Sequence, residues 1–183
     1  PKDTLGILAR CKFERLDILE RNGGEWDEID VKTLNKVDAS LVIGTIRNRD
    51  IESIASAKLL EGNYSDQELG SLMCEHHSIL RDVLKISTPK IEKMCDAAIN
   101  AGAVGAKIFG SGGGGCMLAM VPRINGKSAP SLIAQIKSSI ESVDGAIAYH
   151  VNSEPGVDWG FNSNVQNPVV VLAAGASSRM KRV

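Results

Sequence analysis

Five of the six residues at 110–115 are glycine, with Ser111 the exception, and the run sits between two short apolar segments, residues 106–109 and 116–121. Each glycine fixed in a fold costs roughly 0.5–1 kcal/mol relative to alanine. The cluster therefore gives up a noticeable share of the ~5–15 kcal/mol that holds a domain together. Such a loop is kept where bare backbone is needed, because consecutive N–H groups free of side chains curl into a concave donor surface for an anion, most often a phosphate. A flexible Gly/Ser linker has the same composition. Linkers join domains, however, whereas this run joins AKIF to CMLAMV, which read as buried strands on either side of a tight connection. The expected structure is a hairpin whose turn is a binding loop.

Two phosphate motifs can be tested against the letters. No GxxxxGK[ST] occurs, which excludes the P-loop. Gly110, Gly112 and Gly115 satisfy GxGxxG, but the dinucleotide fingerprint needs a helix after the glycines and an acidic residue about 20 positions on. Here an apolar strand follows, stopped by Pro122.

Composition bounds the class. With 183 residues, 43% hydrophobic and 23% charged, the chain fits one globular domain with an appendage. A net charge of -1 with interspersed signs gives no footprint for nucleic acid or an anionic membrane. Cys11, Cys74, Cys95 and Cys116 form no CxxC pair and no metal-ligand spacing, so reduced thiols and a cytoplasmic location are expected. No apolar run reaches the ~20 residues of a membrane span. The first residue is Pro1 and no signal peptide follows, so the sequence reads as an excised piece of something longer.

Helices come first along the chain. Asp3 or Thr4 can cap a helix carrying Leu5, Leu8, Phe13, Leu16 and Ile18, stopped at Asn22-Gly23-Gly24. A second helix is expected over 39–60, ending at Gly62-Asn63. Ser65 with Glu68 forms a capping box for a third, which carries Leu69, Leu72, Met73, His76 and Leu80. Thr88-Pro89 opens a fourth, which Gly102 stops. Then follow a strand, the glycine loop, a strand, a helix over 130–141 and a strand over 146–151. Helices segregated before a small antiparallel sheet give the α+β class.

LMCEHH at 72–77, VLKISTP at 83–89 and GAVGAKIFGSGGGGC at 102–116 resemble, in order and spacing, the carboxy-terminal half of GHMP kinases. This superfamily includes galactokinase, homoserine kinase, mevalonate kinase and phosphomevalonate kinase. The resemblance covers residues 1–152, including PKDT at 1–4. It implies helices packed on a small antiparallel sheet with ferredoxin-like β/α elements, and a kinase that moves the γ-phosphoryl of ATP, with Mg2+, onto a hydroxyl of a small alcohol or sugar. Phosphoryl transfer is mostly positioning and charge stabilisation, which suits a loop of backbone donors. The resemblance places Gly110, Ser111, Gly112, Gly113, Gly114 and Gly115 beside phosphate and substrate, and Thr4 near the substrate. The main phosphate loop and the usual catalytic aspartate belong to the family's amino-terminal half, which is the expected partner; no catalytic residue is assigned here and the piece alone is expected to be inactive. Many members have alanine where Ser111 stands, and its hydroxyl could face substrate, phosphate or water.

Several residues carry two readings. His76 and His77 are adjacent on a helix and cannot form the i, i+4 pair of a zinc helix, so no metal site is expected; one reads as core and the other as a polar contact. Glu75 and Asp82 read as solvated or paired with Arg81 or Lys85. Lys107 can face a phosphate or, by strand alternation, solvent. Cys116 can lie near a nucleotide or in the core. Thr4 as a helix cap needs no further role.

Residues 153–168 are rich in Asn, Gly, Pro and Ser and read as a linker. Beyond it, LAAGASSRM at 172–180 resembles the opening signature of nucleotidyltransferases, so residues 169–183 read as the truncated start of such a domain, with Ala174, Gly175, Ser177 and Arg179 in its nucleotide loop. The alternative is a strand packed on the first domain's sheet. A kinase joined to a nucleotidyltransferase would make a sugar 1-phosphate and then activate it, which favours a galactokinase-like sugar kinase over a mevalonate kinase. A reading of another class is a non-catalytic binding or dimerising module, with helix 66–80 and the sheet as its interface; a homodimer is compatible with either.

Overall fold

The computed structural model describes residue 18 and residues 29–126, 128–151 and 169–175. After a 3-10 turn, Val31–Thr33, helix α1 spans Lys36–Glu61. Asn35 caps it, its side chain accepting from the amides of Val37 and Asp38, and Gly62 ends it at φ 68°. Helix α2, Asp66–Asp82, starts on the expected capping box: Ser65 accepts from the Glu68 amide while the Glu68 carboxylate takes the Ser65 N–H. These bonds hold Glu68 ionised, with a pKa lowered to about 2. Helix α3, Pro89–Asn100, has Thr88 as its cap and proline in its first turn, where a missing N–H costs nothing. Strands β1, Gly105–Phe109, and β2, Cys116–Val121, flank the glycine loop. Helix α4, Pro130–Glu141, and strand β3, Ala146–Val151, follow as the sequence indicates.

Strand β4, Val169–Gly175, completes an antiparallel sheet of order β1-β2-β4-β3. The stretch that resembles a nucleotidyltransferase opening is thus, through Gly175, an inner strand of this sheet, with Leu118 opposite Leu172 on one side and Tyr149 on the other. An apolar VVVLAA run has no charge to place in water, and between two strands all its backbone groups find partners. The expected linker, and Ser177 and Arg179, lie outside the described residues, as do Thr4 and the cap at Asp3 or Thr4.

Strand alternation sorts the sheet into two faces. Ala106, Ile108, Met117, Ala119, Val121, Ala146, Ala148 and Val171 form one core with Ile91, Met94, Cys95 and Ala98 of α3 and Ile136 and Ile140 of α4. Fully burying Ile136 or Ile140 is worth ~1.5–3 kcal/mol each. The opposite face carries Phe109, Ile147 and Tyr149, each about half exposed at 52, 54 and 52%. Helix α2 packs on β1 through two glycines: a Cβ on Gly70 would stand 2.2 Å from the Val104 carbonyl oxygen, and one on Gly105 would stand 2.7 Å from the Gly70 backbone. The sequence shows both glycines, but their contact is a tertiary fact.

Candidate functional site

The loop at 110–115 turns β1 into β2, and Phe109 pairs with Cys116 at its base. Gly110, Gly112, Gly113, Gly114 and Gly115 all have positive φ, between 74° and 122°, where a side chain costs roughly 1–2 kcal/mol per residue. The loop is not held by its own residues alone. The Gly113 N–H donates to the Ile86 carbonyl at 2.6 Å, and a Cβ on Gly112 would stand 2.6 Å from that same oxygen. Lys85, at φ 54°, turns the chain beyond α2 so that this carbonyl can be presented. Gly113 is therefore an anchor, whereas the amides of Ser111, Gly112 and Gly114 have no acceptor among the described residues. Ser111 itself is exposed.

Below the loop lies a polar cluster that the sequence did not reveal. The Ile108 N–H donates to His77 Nδ1 at 3.2 Å. His77 Nε2 is 3.1 Å from Glu92 Oε1, outside the angles of an aligned hydrogen bond. The Ser87 hydroxyl donates a short hydrogen bond to Glu92, and Arg81 Nη1 reaches it at 3.4 Å. His77 is the core histidine of the adjacent pair, while His76 is half-buried. Burial pushes both imidazoles below the usual histidine range; for His77, Glu92 opposes the shift while Arg81 and Lys107 add to it. A lowered folded-state pKa means that stability is complete above the unfolded value of about 6.5 and falls as pH drops below it, because the unfolded chain takes up the proton first. Denaturant midpoints should therefore decline from about pH 7.5 to 5.5, and His77→Asn, which removes one titrating group, should flatten that slope; an equal slope in the variant refutes the assignment.

The remaining candidates fall as follows. Lys107 is half-buried and donates from Nζ to the Ile108 carbonyl at 3.0 Å, with burial lowering its pKa. It neither reaches freely into solvent nor forms an ion pair among the described residues. Glu75 pairs with neither Arg81 nor Lys85. Its partner is Arg47 of α1, which donates to it from Nε at 2.6 Å and Nη2 at 2.9 Å, because the α1–α2 contact brings residues 28 positions apart together. Asp82 does pair with Arg81, at 2.7 Å. Cys116 is partly buried, and Cys95, in the core, has its thiol pushed up to about 12 by burial. Ala174 lies opposite Cys116, so the end of β4 and the glycine loop share one end of the sheet. Gly175 lies opposite Ala146.

A cleft of about 550 Å³ opens at the other end of β1 and β2, lined by Ser65, Asp66, Val104, Arg123 and Gly126. Its strongest charges already satisfy each other, Arg123 and Asp66 meeting at 2.5 Å, so it offers less for a charged ligand than the glycine loop. Among the described residues no group of three or more His, Cys, Asp or Glu could hold a metal ion, and no helix is long and apolar enough to cross a membrane.

Comparison with known proteins finds similarity over part of the chain. Residues 57–141 match the family described as "GHMP kinases C terminal". The chain is similar to the mevalonate kinase of Thermococcus gammatolerans, with 44% identity over 73 residues, covering 40% of this chain and 22% of that enzyme. It is also similar to the mevalonate kinase of Pyrococcus furiosus, with 52% identity over 56 residues, 31% of this chain and 16% of that enzyme. The galactokinase of Canis lupus familiaris is 36% identical over 81 residues, 44% of this chain and 19% of that enzyme. The matched stretch thus spans 16 to 22% of the length of these curated relatives. The stretch similar to a GHMP kinase C-terminal domain, residues 57–141, runs from the end of α1 through α4 and includes the glycine loop.

Proposed function

We propose that the chain is part of an ATP-dependent kinase that transfers the γ-phosphoryl group to a hydroxyl of a small molecule. The observation that carries this reading is the loop at 110–115: its positive-φ glycines are braced on Ile86 and leave the Ser111, Gly112 and Gly114 amides to face phosphate oxygens. Mg2+ bound with ATP would neutralise phosphate charge, its ligands lying outside the described residues. A catalytic base likewise belongs to the rest of the enzyme, for which the exposed apolar face bearing Phe109, Ile147 and Tyr149 offers a docking surface. The cytoplasm, where ATP is abundant, is the expected location.

The acceptor is a sugar in the reading favoured by the LAAGASSRM resemblance and by the similarity to galactokinase. A bifunctional kinase/nucleotidyltransferase would then have to share residues 169–175 with the kinase sheet. Mevalonate is the second reading, favoured by the higher identities to mevalonate kinases. A panel of sugars plus mevalonate, assayed with ATP and the full-length protein, separates the two. Turnover of mevalonate alone refutes the sugar reading. Turnover of no acceptor leaves a binding module. In the same assay Gly112→Ala, whose Cβ would displace the Ile86 carbonyl, should lower kcat/KM about 100-fold, the usual cost of an ångström-scale misplacement. Gly62→Ala, in open space far along the chain, should leave it unchanged; equal losses in both variants would point to folding rather than to the loop.

A further inference from the structure

His77 is the one buried polar side chain among the described residues, at 5% exposure, and it stands between the two supports of the glycine loop. On one side its Nδ1 accepts the Ile108 N–H on β1, two positions before Gly110. On the other it faces Glu92 of α3, whose carboxylate takes the hydroxyl of Ser87, the neighbour of the residue whose carbonyl anchors Gly113. An Nδ1 that accepts an amide proton cannot carry one, so neutral His77 bears its hydrogen on Nε2. Protonation would add an N–H at Nδ1 and set two donors against each other.

We infer that His77 is a positioning residue for the glycine loop: as its Nε2–H tautomer it fixes the Ile108 amide and faces the Glu92–Ser87 pair beside Ile86, and its protonation releases the loop. The charged and titratable groups around it are Glu92 on α3, Lys107 on β1, and Arg81, His76 and Asp82 on its own helix. The carboxylate favours the proton, while burial and the two cations oppose it, so the balance lies toward the neutral ring that the Ile108 contact requires. The link to phosphoryl transfer rests on the kinase reading; the link between ring and loop does not.

The test needs no nucleotide. Nitrogen-15 spectra of the full chain should show His77 as the neutral Nε2–H tautomer at about pH 7.5, and an Nδ1–H tautomer overturns the inference. Amide exchange, corrected for its intrinsic pH dependence, should show Gly113 losing protection about tenfold between about pH 7.5 and pH 5, while the Ala119 amide on β2 changes little. In His77→Asn, whose side-chain oxygen can replace Nδ1 as acceptor but does not titrate, Gly113 protection should be independent of pH. In His77→Leu it should be low throughout; if that variant fails to fold, the asparagine variant decides. Constant protection in the wild type, or the same tenfold loss in His77→Asn, overturns the inference. Because these readouts use the loop amides alone, a protein that transfers no phosphoryl group could still pass, and an active kinase could still fail.

Discussion

Gly70→Ala is expected to destabilise the protein by about 3 kcal/mol or more, enough to lower the melting temperature by roughly 6–12 °C in a domain of this size. In an isolated helix the same change would help by about 1 kcal/mol, since alanine is the better helix former. Here the new Cβ would stand 2.2 Å from the Val104 carbonyl oxygen and 2.6 Å from its carbon, atoms of the backbone just before β1 that no rotamer change can move. Helix α2 must lift off β1 instead, and the hydrogen bond from Ile108 to His77 lengthens with it. Gly62→Ala is the comparison, a left-handed glycine with nothing within 4 Å, for which about 1 kcal/mol of backbone strain is expected. Thermal unfolding of both variants checks the argument, and a Gly70→Ala protein no less stable than Gly62→Ala would show that the helix–strand contact is looser than described.

Asp66→Ala is expected to cost about 3 kcal/mol. Asp66 opens α2 and takes three donors from Arg123 beyond β2: the backbone amide at 2.6 Å, Nε at 2.9 Å and Nη2 at 2.5 Å. Their side chains are only 11 and 14% exposed. Removing the carboxylate takes the closest counter-charge from a guanidinium largely out of water, while Tyr64, whose ring lies 5.3 Å from its centre and which also hydrogen-bonds it, remains. The residual exposure keeps the figure at the low end for a buried pair. Asp66 also has its charge at the positive end of a helix. Asp66 in turn raises the Arg123 pKa further above its ordinary value through their hydrogen bond, so the guanidinium stays charged. Arg123→Met combined with Asp66→Ala should recover part of the loss, since two apolar groups leave no buried charge behind. If the double variant loses as much as the two single ones added together, the residues are not coupled and the cost belongs to the helix start alone.

Much of the framework of the described residues is legible in the sequence because its signals are local. The Ser65–Glu68 capping box, Thr88-Pro89 and Gly102 act within one helical turn, and α2, α3 and the end of α3 lie where they direct. The apolar runs at 116–121 and 146–151 became strands with the bounds read from the letters. The glycine run announced a backbone conformation closed to other residues, and five positive φ values follow. The motif spacing likewise anticipated the match of residues 57–141 to the GHMP kinase C-terminal family.

What the sequence could not specify is which distant groups meet. Glu75 chose Arg47 over its helix neighbours because α1 lies alongside α2. Gly113 is spent on Ile86, and His77 on Ile108 and Glu92, across 27, 31 and 15 positions of chain. VVVLAAG carries the same apolar pattern whether it opens a new domain or fills a sheet, and its place between β2 and β3 is visible only in the folded structure. Local chemistry fixes φ, ψ and caps because the atoms involved are covalently near. Pairing across the fold is decided by the free energy of burying whole surfaces together, and that quantity exists only once the elements have packed.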